Sequence, residues 1–210
     1  MARMTGGEAV LMALIANGAK LAFGIPGMHN LAMYDAMLDH PEFRHVLVRN
    51  EQGASLMANA AGRATGKPGV CMVTTGPAAC NTLAGVADAT REHVPMLIVA
   101  SQISSHLIGQ GKGAFHEMVD QAGMFRAAGA AAFRPNTVAQ IPAAINAAWV
   151  AATHGRPGPA YVEIAEDVLF AAGEAEIAPA PPAPRPAATP AEIEGILAML
   201  EASERPLVYV

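Results

Sequence analysis

The feature that most restricts the fold of this chain is a set of short apolar runs that do not alternate with polar residues. "GVCMVT" (69–74) and "MLIVA" (96–100) are of this kind, and "LAFGI" (21–25), "HVLV" (45–48) and "AYVEI" (160–164) come close. A strand with one wet face alternates, whereas a strand that is apolar on both sides must be covered on both. Segments with apolar residues at helical spacing separate these runs. Strand–helix alternation with long connections implies right-handed crossovers. The expected fold class is therefore α/β: a doubly wound, mostly parallel sheet with helices on both faces. The composition allows such a buried sheet, since 52% of residues are hydrophobic and only 15% are charged.

Local signals punctuate this pattern. Thr5-Gly6-Gly7-Glu8 reads as a capping box. A helix bearing Val10, Leu11, Leu14 and Ile15 follows and ends at Asn17-Gly18. Further helices are expected over about 29–38, 51–63, 78–89 and 137–152, with a weaker helix and strand before the last of these. Residues 1–170 thus form one domain. Residues 171–189 include "APAPPAPRPAA", a stiff Pro/Ala-rich linker. Thr189-Pro190-Ala191-Glu192 is a second capping box with Pro at the first helical position. A helix with Ile193, Ile196, Leu197 and Leu200 and an apolar strand, "RPLVYV", are expected after it. Residues 190–210 are too few to bury a core. They are expected to begin a truncated central domain, which would make the chain the front part of a longer protein.

Several function classes are disfavoured. The net charge is −5 and the Lys and Arg residues are scattered, so nucleic acid is not an expected partner. No signal-peptide pattern opens the chain and no apolar run approaches membrane-spanning length, so a soluble, cytoplasmic protein without a membrane partner is expected. Cys71 and Cys80 fit no metal or redox spacing and are expected to be buried free thiols. "GQGKG" lacks the spacing of a phosphate loop, and neither a GxSxG elbow nor an HExxH helix occurs.

Three expected strand ends carry unusual residues: "GIPG" (24–27), "RNE" (49–51) and "TTGP" (74–77). Ligands of open α/β sheets sit beyond the carboxyl ends of strands. Gly and Pro in one such place make only a tight turn, but three on one edge suggest a site. Glu51 stands alone between an apolar run and an apolar helix. An acidic residue in a first helical turn is ordinary. Low charge nearby, however, suits a carboxyl that keeps or shares a proton in an apolar pocket.

"GIPG", "RNEQGA", "GRATGKPGV", "TTGPAACN", "GAFHE" and "GRPGPAYVEI" occur in that order. Together they resemble the N-terminal pyrimidine-binding domain of thiamine-diphosphate enzymes, in particular the acetolactate synthase and 2-oxo-acid decarboxylase group. The resemblance spans residues 5–170. It implies that Glu51 hydrogen-bonds N1′ of the cofactor's aminopyrimidine, favouring the imino tautomer that removes the thiazolium proton. The reaction implied is decarboxylation of a 2-oxo acid, or its joining to a second carbonyl compound. By the same matching Ile25, Pro26, Gly27, Pro77 and Asn81 border the pyrimidine, and Phe115 and His116 reach the substrate. Mg²⁺ and the diphosphate would be held by a Gly-Asp-Gly…Asn motif outside this chain, which contains no Gly-Asp pair. A homodimer or higher homo-oligomer is implied, and FAD is left open.

Three departures bear on specificity: Asn50 where many relatives have His, Ala78 where many have Gly, and His116 where "AFQE" has Gln. A second reading is a non-catalytic binding or regulatory subunit that pairs with a separate diphosphate-binding partner. A reading frame continuing into Gly-Asp-Gly favours the enzyme.

Overall fold

The computed structural model describes residues 1–184 and 186–209. In chain order the elements are β1 (Ala2–Thr5), α1 (Gly6–Ala16), β2 (Leu21–Gly24), α2 (Leu31–Asp35), β3 (Arg44–Leu47), α3 (Glu51–Thr65), β4 (Gly69–Val73), α4 (Pro77–Asn81), α5 (Leu83–Glu92), β5 (Met96–Gln102), α6 (Gln121–Ala127), β6 (Ala131–Phe133), α7 (Ile141–Thr153), β7 (Pro159–Ala165), α8 (Glu166–Phe170), β8 (Ala172–Ala175) and α9 (Pro190–Glu201). Short 3₁₀ turns flank α2 and precede α7. The non-alternating runs become a six-stranded parallel sheet of order β3-β2-β4-β5-β7-β6, which is the expected doubly wound fold.

The reason the central runs do not alternate is visible in the packing. On β4, Val70 and Met72 point into one core while Cys71 and Val73 point into the other. On β5, Leu97 and Val99 join the first core and Met96, Ile98 and Ala100 the second. Helices α1, α2 and α7 close the first core with Leu11, Leu14, Met33, Ile141 and Ile145. Helices α3, α4, α5 and α6 close the second with Ala54, Ala58, Ala79, Val86 and Phe125. Both faces of each central strand are thus removed from water.

The chain leaves β2, adds β3 on one side and then returns through α3 to β4 on the other side. The carboxyl ends of β2 and β4 therefore flank a topological switch point, the usual location of a ligand crevice. Alanine and glycine let α3 and α5 approach each other closely above it. A Cβ on Gly85 would lie 2.5 Å from Ser55 Oγ and 2.8 Å from the Ser55 backbone carbon.

Thr5 and Thr189 cap α1 and α9 as the sequence indicates, each in a full capping box. Other expectations are corrected. The helix expected over 78–89 is two helices, broken at Thr82, whose hydroxyl donates to the Ala79 carbonyl at 2.7 Å. Such a local side-chain bond competes with helix continuation. Residues 206–209 form no strand and Leu207, Val208 and Tyr209 are exposed, since no neighbouring strand offers them a ladder; Val210 lies outside the described residues. Within the stretch read as linker, Ala172–Ala175 pairs antiparallel with β1. Cys71 is buried, but Cys80 is exposed on α4. Among the described residues no helix is long and apolar enough to cross a membrane.

Candidate functional site

Past β2 the chain turns through Ile25, Pro26 and Gly27. Asn30, fully buried, braces this turn: its Oδ1 accepts from the Gly27 N–H at 2.6 Å and its Nδ2 donates to the Ile25 carbonyl at 3.3 Å. Gly27 is needed where it stands, because a Cβ there would lie 2.9 Å from the Thr74 side chain. The loops after β2 and β4 are therefore in contact. Ile25 packs against the second core.

Past β3, Asn50 is extended and caps α3, accepting from the Gln52 N–H at 2.8 Å. Asn50 is thus explained locally as a helix cap. Glu51 is the first residue of α3, and its Oε2 accepts from Asn81 Nδ2 at 2.9 Å. Asn81 closes α4, which opens with Pro77. Three residues singled out in the sequence are so brought to one place. Glu51 also lies near the buried end of the sheet: burial first, and then the Glu51 charge, push the Cys71 thiol far above its ordinary range. Glu51 itself is half-buried. Leu56 and Met57 stay 44% and 45% exposed and form an apolar outer face of α3.

Past β4, Gly76 has φ +65° and ψ −115°, a conformation open chiefly to glycine. A Cβ there would also run into the His116 carbonyl, so the loop bearing His116 lies directly over the turn. His116 itself has φ +66°, unusual for a residue with a side chain, and its Nδ1 is buried without a hydrogen-bond partner among the described residues. Strain of this kind gathers at functional sites. The Phe115 and His116 rings stack at 3.8 Å, and His29 lies 6.0 Å from both. Burial lowers the His29 pKa, Glu166 opposes the shift, and His116 adds to it. Phe115 is 63% exposed, which leaves this rim open to solvent.

Sequence reasoning missed what lies under the turn. Gln121, Ser101, Thr75, Tyr161 and Glu163 are all fully buried. The Gly76 N–H donates to Gln121 Oε1 at 2.6 Å, and Thr75 Oγ1 pairs with Ser101 Oγ at 3.0 Å. Glu163 is paired with Arg134 from the end of the edge strand β6. One signal was available: a glutamate inside the apolar run "AYVEI" requires a buried partner. His29 carried no signal beyond its place next to "GIPG". Among the described residues no group of three His, Cys, Asp or Glu is placed to hold a metal ion.

The family described as "Thiamine pyrophosphate enzyme, N-terminal TPP binding domain" matches residues 4–124. The chain belongs to this family. The matched range contains every strand-end residue described above, from Ile25 to His116, together with Gln121. Individual members that resemble this thiamine-pyrophosphate-binding domain have longer chains. It is 35% identical over 210 residues to the acetolactate synthase isozyme 1 large subunit of Escherichia coli, covering 99% of this chain and 37% of that one. It is 37% identical over 214 residues to the acetolactate synthase large subunit of Corynebacterium glutamicum, covering 99% and 33%. It is 39% identical over 171 residues to a probable 2-ketoarginine decarboxylase of Pseudomonas aeruginosa, covering 80% and 30%. The chain thus spans about a third of the length of these relatives.

Proposed function

We propose that this domain holds the aminopyrimidine end of thiamine diphosphate in an enzyme acting on 2-oxo acids, with Glu51 as the activating residue. The observation that carries this reading is the Glu51–Asn81 bond beside the switch point. One carboxylate oxygen is held by Asn81, while Oε1 has no hydrogen-bond partner among the described residues and is left for a ligand. The surrounding groups suit a flat heteroaromatic ring. Ile25 offers an apolar edge, and Pro26 and Pro77 lack N–H groups that would compete for ring nitrogens. Gly27 and Gly76 keep the rim free of side chains.

When bound, thiamine diphosphate supplies carbanion stabilisation at a 2-oxo-acid carbonyl. Glu51 would hold a proton between its carboxylate and ring nitrogen N1′ of the bound group. Asn81 orients the Glu51 carboxylate, and Phe115 and His116 border the substrate. Mg²⁺ and the diphosphate are assigned to a separate domain or subunit. The active unit is assigned to a homodimer that buries the outer faces of α3 and α5. The acetolactate synthases and the 2-ketoarginine decarboxylase among the relatives support the 2-oxo-acid class.

The test is thiamine-diphosphate- and Mg²⁺-dependent decarboxylation of 2-oxo acids by the protein carrying this domain. Glu51→Gln keeps the size of the side chain and removes the proton-accepting charge. It is expected to lower kcat by about 100-fold or more, the scale of a lost acid–base group. Wild-type turnover in Glu51→Gln would overturn the assignment.

A further inference from the structure

The Gly76–Pro77 turn does not rest on its own backbone alone, where the Cys80 N–H donates to the Gly76 carbonyl at 2.9 Å. Gly76 lies outside the helical and extended regions, and Pro77 offers no N–H. The turn is also tied down from below at three points. Thr74 Oγ1 and Thr75 Oγ1 pair with Ser101 Oγ on β5 at 3.3 and 3.0 Å. The third tie is the bond from the Gly76 N–H to Gln121 Oε1. The orientation of the Gln121 amide is fixed by chemistry, because a backbone N–H can only donate. Its Nε2 therefore faces the acceptors: the Ser101 carbonyl at 3.0 Å, Tyr161 Oη at 2.6 Å and Glu163 Oε2 at 3.2 Å. The Tyr161 hydroxyl in turn donates to Glu163 Oε2 at 2.9 Å, and Arg134 neutralises Glu163.

We propose that Gln121 is a positioning residue: the buried Glu163–Tyr161–Gln121 chain, closed at the surface by Arg134, fixes the Gly76–Pro77 turn and, through α4, the place of Asn81 and Glu51. The inference deepens the reading of Glu51, Pro77 and Asn81 as the cofactor wall and rests on it. Gln121 suits this role for two reasons. It opens α6 directly after the loop that carries Phe115 and His116, so one side chain sets the turn and anchors the end of the loop above it. It is also nowhere exposed, so it acts only through the groups it holds. An amide satisfied on both sides, with its acceptors backed by a paired carboxylate, has one low-energy orientation.

The test has one arm on the chain itself and one on the cofactor-loaded enzyme. Amide hydrogen exchange followed by NMR reads the Gly76 N–H, and the Asn81 side-chain amide signals read the contact with Glu51. Gln121→Met fills the same space without the acceptor. It is expected to speed Gly76 exchange by about tenfold, the effect of losing one buried bond. The Asn81 side-chain signals should shift, while protection in β4 and β5 is unchanged. Tyr161→Phe is the second variant: it keeps the ring stacked on Phe125 and removes one acceptor from Gln121 Nε2. It is expected to speed Gly76 exchange by a smaller factor, and it carries the test if Gln121→Met does not fold. In the loaded enzyme Gln121→Met should raise KM for thiamine diphosphate by about tenfold. Wild-type exchange at Gly76 in Gln121→Met, or in Tyr161→Phe where Gln121→Met does not fold, would overturn the proposal. A Glu51→Gln enzyme that is inactive beside a Gln121→Met enzyme with wild-type KM would overturn the Gln121 role alone. Full activity in Glu51→Gln would instead overturn the site reading beneath it.

Discussion

Among the described residues Asn81 is the one donor to the Glu51 carboxylate, and its position depends on the break in the helix at Thr82. Asn81→Ala should leave that carboxylate unrestrained without altering its charge. Its expected effect is about a tenfold fall in kcat, smaller than that of Glu51→Gln because orientation rather than the proton acceptor is lost. Steady-state turnover with saturating thiamine diphosphate checks this, and equal losses in the two variants would contradict the division of roles. His29 gives a separate dependence on pH. Its folded pKa lies below the ordinary imidazole value, burial being the main cause. Between the folded value and the ordinary one, about 6.5, the unfolded chain binds more protons than the folded one. Stability should therefore rise with pH through that window and be level on either side of it, lower on the acid side. His29→Phe is expected to flatten this part of a denaturation-versus-pH curve. An unchanged slope would show that His29 does not titrate differently in the two states.

At the scale of elements, the α3–α5 contact is a close constraint on the second core. Gly85→Ala would push a Cβ to 2.8 Å from the Ser55 backbone, which cannot yield as a flexible side chain can. It should cost about 1–3 kcal/mol, the usual range for overpacking. A urea midpoint equal to wild type would contradict so close an approach. The sheet was legible because "GVCMVT" and "MLIVA" leave no polar face, and the caps were legible because Thr5–Glu8 and Thr189–Glu192 have the required spacing. The β1–β8 ribbon was not legible. "ARMT" and "AGEA" are four residues each and show no apolar alternation; what pairs them is the return of α8 beside α1. The strand ends of the candidate site were legible from Gly and Pro, whereas the polar chain beneath them was not. Gln121 lies 45 residues from Gly76 and 42 from Glu163, so its partners meet only once the sheet has formed. Of the alanines on α3, α4 and α5, Ala54, Ala58, Ala78 and Ala79 face the core, whereas Ala60, Ala84 and Ala87 stay exposed.

For the whole molecule, two of the apolar surfaces exposed among the described residues lie on helices α3 and α9. One is the outer face of α3, where Leu56 and Met57 lie beside the site; the other is α9, whose Ile193, Ile196, Leu197 and Met199 are exposed. Exposed apolar patches commonly mark interfaces, and two-fold pairing is the simplest way to close one. The chain is expected to sediment as a dimer at micromolar concentration, and Met57→Asp should shift it towards monomer. A dimer indifferent to Met57→Asp would place the interface elsewhere. The central claim, that Glu51 activates the cofactor at this switch point, is tested most directly by proton exchange. The rate at which the thiazolium C–H of bound thiamine diphosphate exchanges with deuterium, read by NMR after acid quench, isolates that step from substrate and product. In the enzyme carrying this domain, Glu51→Gln should slow the exchange by about 100-fold or more while the cofactor stays bound. Exchange at the wild-type rate in the loaded Glu51→Gln enzyme would contradict the claim.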